Sequence, residues 1–242
     1  MSGANQQTQG WLMPFAPLRS RPVLVCLPQA GSGCGVFRSW QDALGDAVTV
    51  VGVQLPGREN RFTVPPPESF AHAVAGIVAA LVDTVGRPTV LFGHSLGGLI
   101  GYEVARALPT PPDALVVAAS QPPHRNGKTA GIALDTDEGF ARALAAKGLD
   151  EDMRELALTV LRQDADMAAT YEPPSSAPVP CDLHVWGGDA DERVPAGDLA
   201  GWRGYAGGAF HSRLFAGGHD FCLDKPEAAA EVRALLPTWQ EV

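Results

Sequence analysis

Pro88-Thr89-Val90-Leu91-Phe92-Gly93-His94-Ser95-Leu96-Gly97-Gly98-Leu99-Ile100-Gly101-Tyr102 decides the fold. The first five residues form a short apolar run of the kind a buried strand needs. Leu99 to Leu108 repeats apolar residues at helical spacing. Between them stands Gly-x-Ser-x-Gly. A serine on a sharp strand-to-helix turn has strained backbone, and side chains at Gly93 or Gly97 would collide with neighbouring main chain. The new helix aims free N–H groups and the positive end of its dipole towards the Ser95 oxygen. The stretch therefore predicts a nucleophile elbow.

Working outward, strand-like and helix-like segments alternate, as in a parallel sheet with crossover helices. Strands are predicted at Pro22 to Leu27, Val48 to Gln54, Thr89 to Phe92, Ala114 to Ala119, Asp182 to Trp186 and His211 to Phe215. Helices are predicted at Val36 to Leu44, Ser69 to Val85 with Ser69 as N-cap, and Pro226 to Leu236. The fold class is α/β, an α/β-hydrolase fold with a mostly parallel central sheet and helices on both faces. Residues 1–242 read as one domain. From Gln121 to Pro180 the alternation stops, and helix-like stretches run from Asp137 to Lys147 and from Glu151 to Tyr171. A helical insertion at 121–180 is where a lid or substrate pocket would be built. The alternative is a pair of extra packing helices.

Composition narrows the partners. The 242 residues are 45% hydrophobic and carry a formal net charge of −9. That balance argues against nucleic acid or an anionic membrane as a partner. It leaves room for a local basic patch around Arg58, Arg61 and Lys128, which an acidic protein partner would need on its docking face. No apolar run is long enough to span a bilayer. Met1 to Gly10 is polar, lacks signal-peptide features and reads as a frayed tail. Cys26, Cys34, Cys181 and Cys222 have no metal-type spacing and read as reduced, buried thiols. A cytoplasmic monomer is expected.

A serine hydroxyl needs an adjacent base, and the base needs a carboxylate to hold its tautomer. In this fold both follow the serine in the chain. His219, in Ala216-Gly217-Gly218-His219-Asp220-Phe221, lies just past the last predicted strand and is the assigned base. The acid comes from Gly188-Asp189-Ala190-Asp191-Glu192-Arg193-Val194-Pro195. Asp191 is assigned, Asp189 is the alternative, and Glu192 reads as solvent-facing. Two N–H donors must face the developing oxyanion. Leu96, directly after the serine, supplies one. Ala30, in the loop Pro28-Gln29-Ala30-Gly31-Ser32-Gly33, supplies the other, with Gln29 as alternative. Catalytic Ser95, Asp191 and His219 would make a serine hydrolase that needs neither metal nor organic cofactor.

Four segments together resemble type II thioesterases, the stand-alone editing enzymes of polyketide and nonribosomal peptide synthesis. They are Leu27-Pro28-Gln29-Ala30-Gly31-Ser32, Gln54-Leu55-Pro56-Gly57-Arg58-Glu59-Asn60-Arg61, the elbow, and Gly217-Gly218-His219. Leu161-Arg162-Gln163-Asp164 also resembles a family segment. The family often has His in place of Gln29, Met in place of Leu96 and Pro in place of Glu192. The resemblance implies hydrolysis of acyl thioesters on the phosphopantetheine arm of an acyl or peptidyl carrier protein. For Arg58 and Arg61, pairing with a neighbouring carboxylate and contact with substrate are both open. Three other readings share the same site: a small-molecule carboxylesterase or lipase, an acyl-transferring or cyclising enzyme, and a non-catalytic scaffold.

Overall fold

The computed structural model describes residues 10–18, 21–82, 89–125, 151–174, 177–223 and 226–237. Its strands are β1 (Leu12–Pro14), β2 (Val23–Leu27), β3 (Thr49–Val53), β4 (Thr89–His94), β5 (Ala114–Ala118), β6 (Asp182–Gly188) and β7 (Phe210–Phe215). The helices are α1 (Arg38–Leu44), α2 (Phe70–Leu81), α3 (Leu96–Ala107), α4 (Glu151–Ala169), the single turn α5 (Ala196–Leu199) and α6 (Pro226–Leu235).

The strands form one sheet in the order β1-β3-β2-β4-β5-β6-β7. All neighbours are parallel except β1, which pairs antiparallel with β3. Burial on both faces explains the continuous apolar strands Val23–Leu27 and Ala114–Ala118. Alternate residues of β2 go to opposite cores. Val23, Val25 and Leu27 pack with Val74 and Ile77 of α2 and with Leu99 and Tyr102 of α3. Leu24 and Cys26 pack with Trp40 of α1 and with Ala228 and Val232 of α6. The sheet is therefore covered on both sides, an α/β-hydrolase arrangement.

Strand order reverses at β2. The chain leaves β2 for β3 on one side and returns to β4 on the other, so the loops after β2 and β4 diverge. Such a divergence at the carboxyl edge is where open α/β sheets place ligand sites. The β2–β4 register pairs Leu27 with Gly93, which brings the Gln29 loop beside Ser95.

Most predicted boundaries lie within two residues of those observed. Ser69 caps α2, its hydroxyl accepting the His72 N–H at 3.1 Å. The end predicted for that helix, beyond residue 82, lies outside the described residues. So do residues 1–9, Lys128 and the helix-like stretch Asp137 to Lys147. β1 and α5 have no counterpart in the sequence reading. β1 is three residues long and follows Trp11, which is buried under the Arg61 guanidinium, 4.7 Å from its ring centre. Too short for a periodicity, it is held by pairing to β3.

The elbow glycines are steric necessities. A Cβ on Gly93 would lie 2.2 Å from the Gly97 carbonyl oxygen, and one on Gly97 would lie 2.2 Å from the Leu27 carbonyl oxygen. Both obstacles are backbone, which no rotamer change can relieve. Gly97→Ala is expected to cost about 1–3 kcal/mol or more and to lower the unfolding midpoint by roughly 3–10 °C. Differential scanning calorimetry checks it, and an unchanged midpoint would contradict this packing.

Candidate active site

Ser95 occupies the N-cap position of α3 with φ +53° and ψ −118°. A serine there ordinarily folds its hydroxyl onto the helix N–H groups. Here the side chain makes no capping bond. The strained backbone is fixed by Ser95 N–H donating to Ala118 O at 2.8 Å and by Gly98 N–H donating to Ser95 O at 2.9 Å. The hydroxyl is left facing His219, whose Nε2 lies 3.0 Å from Oγ.

His219 arrives on the loop after β7. That loop is laced to the one after β6, where Asp189 N–H donates to Phe215 O and Ala190 N–H to Gly217 O. The lacing is close, since a Cβ on Gly188 would lie 2.4 Å from the carbonyl oxygens of Gly217 and Gly218. Two carboxylates share this loop pair with different duties. Asp191 Oδ2 lies 2.9 Å from His219 Nδ1. Its Oδ1 accepts the N–H groups of Arg193 at 2.9 Å and Val194 at 3.1 Å. Asp189 instead accepts the Gly217 N–H at 2.9 Å and so binds one loop to the other. Glu192 is exposed, and Asp220 is half-buried beside the site.

Burial by itself pushes the Asp191 carboxyl up. The hydrogen bond and charge of His219, with the Val194 and Arg193 N–H groups, outweigh it and hold the pKa below the ordinary carboxylate value. Asp191 is therefore ionised at neutral pH. The imidazole takes the Nδ1–H tautomer, donating to Asp191 and leaving an Nε2 lone pair for the Ser95 hydroxyl proton.

His94, the variable residue of the elbow, is fully buried and joins the two halves of the site. Its Nε2 lies 2.8 Å from the His219 carbonyl oxygen, and its Nδ1 lies 3.2 Å from the Gln29 amide. Burial foremost, then the neighbouring His219, lowers its pKa to about 4. A neutral imidazole has one N–H, committed here to the His219 carbonyl. Nδ1 is then an acceptor, served by the Gln29 amide turned with its NH2 towards the ring. Nothing in a lone Gly-His-Ser sequence signals this bridge, because both partners are more than sixty residues away in sequence.

The oxyanion candidates lie on the opposite side. Leu96 is the first residue of α3, so its N–H has no acceptor within the helix. Gln29 to Ser32 forms a tight turn, with Ser32 N–H donating to Gln29 O at 3.2 Å and Gly31 at φ +75°. That φ suits the third position of a type II turn. Ala30 is the second. Among the described residues, no three His, Cys, Asp or Glu side chains converge as a metal site requires.

Arg58 and Arg61 do not form a basic surface patch. They are 3% and 8% exposed. Arg58 makes a two-pronged ion pair with Asp164 of α4, and Arg61 donates to Gln54 O at 2.9 Å and lies over Trp11. Pairing with a carboxylate is thus the role Arg58 takes. A separate cavity of about 720 Å³ lies between α2, the C-terminal half of α3 and the segment after α4. Its lining includes none of Ser95, His219, Asp191, Leu96, Ala30 or Gln29, and its Glu103 is already engaged by Arg106 and Tyr171.

The chain matches the thioesterase-domain family profile over residues 22–235. It belongs to the thioesterase family. It is 32% identical over 228 residues to Thioesterase PikA5 of Streptomyces venezuelae, covering 89% of this chain and 81% of that one. Among solved structures it is similar to RedJ, a thioesterase of the prodiginine pathway of Streptomyces coelicolor. The TM-score is 0.79 at 31% identity, covering 91% and 95% of the two chains. It is also similar to BorB, a type II thioesterase from the borrelidin biosynthetic cluster. There the TM-score is 0.80 at 28% identity, covering 96% and 98%. This thioesterase is accordingly a hydrolase acting on thioesters. Among its described residues no helix is long and apolar enough to cross a membrane.

The buried His94 makes a pH prediction for the thioesterase. In the unfolded chain His94 takes up a proton near pH 6.5; in the folded protein it does so near pH 4. Between these values the unfolded state binds the extra proton. Its contribution is therefore full above about pH 6.5 and lost as pH falls towards 4. Between pH 7 and 4.5 the wild-type unfolding midpoint should fall about 5–10 °C further than that of His94→Asn. Parallel curves for the two proteins would remove His94 from this account.

Proposed function

We propose that this chain is a stand-alone type II editing thioesterase of polyketide or nonribosomal peptide synthesis. It hydrolyses acyl groups held on the phosphopantetheine arm of an acyl or peptidyl carrier protein, through an acyl-Ser95 intermediate. One observation carries the reading: a continuous relay from Asp191 through His219 to Ser95, with steps of 2.9 and 3.0 Å. The alignment with BorB and RedJ over nearly the whole chain supports the pathway class.

The geometry supports the following chemistry. His219 Nε2 takes the Ser95 proton as Oγ attacks the thioester carbonyl. The imidazolium that forms is balanced by ionised Asp191. Leu96 and Ala30 N–H groups, with Gln29 as the alternative donor, receive the oxyanion. The C–S bond breaks and the pantetheine thiol leaves with the proton from His219. Water, deprotonated by His219, then attacks the acyl-serine, and the free acid departs as the proton returns to Ser95. No step calls for a metal or organic cofactor. α4, within the insertion at 121–180, serves as part of a lid over the acyl chain.

A carrier partner implies a preference for thioesters on carrier protein over the same acyl groups on pantetheine, and for both over oxygen esters. Measuring kcat/KM on the three substrates tests it. A strong preference for oxygen esters would replace the reading with a carboxylesterase, and a cyclic or transferred product would replace hydrolysis with acyl transfer. Low selectivity among acyl chains and slow turnover are expected of an editing enzyme.

Ser95→Ala should lower kcat by on the order of 10⁶ and Asp191→Asn by on the order of 10⁴, leaving the rate supplied by binding and the oxyanion donors. Asp189→Asn should lower it less than about tenfold, because Asp189 orients a loop rather than the imidazole. Steady-state kinetics on an acyl-pantetheine thioester decides. A reversed order for the two aspartates would reassign the acid, and unchanged turnover in Ser95→Ala would end the catalytic reading.

A further inference from the structure

The turn that carries Ala30 is held from outside the sheet. Gly31 lies against α4 so closely that a Cβ there would sit 2.8 Å from Leu161 Cδ1. Three residues further along the same helix face, Asp164 Oδ2 accepts the Gly31 N–H at 2.7 Å. The same oxygen accepts Arg58 Nη1 at 2.7 Å, and Oδ1 accepts Arg58 Nη2 at 2.5 Å. Arg58 Nη1 also reaches Ser32 O at 3.2 Å. The two charged side chains are 3% and 2% exposed. Among the described residues Arg58 Nε has no hydrogen-bond partner, and the charge of this buried cation is met by Asp164.

We propose that Asp164 is a positioning residue. From α4 it fixes the oxyanion turn by accepting the Gly31 N–H, with Arg58 as its counter-ion, so that the turn is set for catalysis only while α4 is docked on it. This rests on the reading that the Ala30 N–H receives the oxyanion. The peptide that Asp164 grips shares the Ala30 Cα with the peptide bearing that N–H. The competing turn conformation rotates the Ala30–Gly31 peptide by about half a turn. It would point the Ala30 carbonyl oxygen at the Asp164 carboxylate, and a buried negative charge excludes it. A neutral apolar residue at 164 would not.

The test separates holding the fold from holding the turn. Breaking a buried ion pair by removing one partner destabilises strongly, whereas replacing both with apolar groups is often neutral. The double variant Arg58→Met/Asp164→Leu is therefore compared with wild type for unfolding midpoint, for kcat and KM on an acyl-pantetheine thioester, and for two ligands. One is an acyl trifluoromethyl ketone, which adds Ser95 and forms an oxyanion; the other is the matching methyl ketone. The expected result is a midpoint near wild type, KM within about twofold, and kcat lower by about 10²-fold. Trifluoromethyl ketone affinity should fall by the same factor, with methyl ketone affinity unchanged. Wild-type kcat in the folded double variant, or equal loss of affinity for both ketones, would overturn the proposal. Should the double variant not fold, Asp164→Asn carries the ratio test. Its preference for the trifluoromethyl ketone should fall at least about fivefold, the effect of about 1 kcal/mol, and an unchanged ratio would overturn the proposal. If wild type itself shows no preference for the trifluoromethyl ketone, the oxyanion reading fails and the proposal falls with it.

Discussion

The Leu27 carbonyl oxygen lies where a side chain on residue 97 would begin. That contact of bare backbone with bare backbone sets the distance between the loop after β2 and the start of α3. The loop after β2 carries Ala30 and Gln29. The start of α3 carries Ser95 and Leu96. Ser95 pays for the closeness with a left-handed backbone, held by its N–H bond to Ala118 O in the neighbouring strand. Packing on both faces of the sheet keeps β2, β4 and β5 in register and so keeps that strain in place.

Around this contact the structure manages two buried carboxylates in different ways. Asp191 is surrounded by donors: the His219 ring and two backbone N–H groups. Its charge is thereby kept despite desolvation, and it faces the His219 ring as a carboxylate able to balance a proton there. Asp164 is neutralised by Arg58 and spends its remaining hydrogen-bonding capacity on Gly31. One carboxylate faces the base, the other the turn opposite. His94 spans the gap between the two sides, from the Gln29 amide to the His219 carbonyl, as a neutral ring. A charged ring there would meet both desolvation and the His219 charge, which explains why its pKa is driven down rather than up.

Strand-turn-helix around Ser95, the alternation of apolar strands with amphipathic helices, and the order serine, acid, histidine are local or sequential features, and the chain alone determined them. They depend on periodicity, on glycine placement and on the side-chain chemistry available in each loop. Residues 188–195 offered three carboxylates, and only the tertiary structure assigned their contacts, placing Asp191 against His219 and Asp189 against Gly217. Tertiary structure alone also turned Arg58 inward onto Asp164, 106 residues away, paired β1 with β3 and made His94 a bridge. Each of these is a contact between segments distant in the chain, whose energy depends on burial and on a partner's exact position. Neither quantity is written in a local pattern of residues.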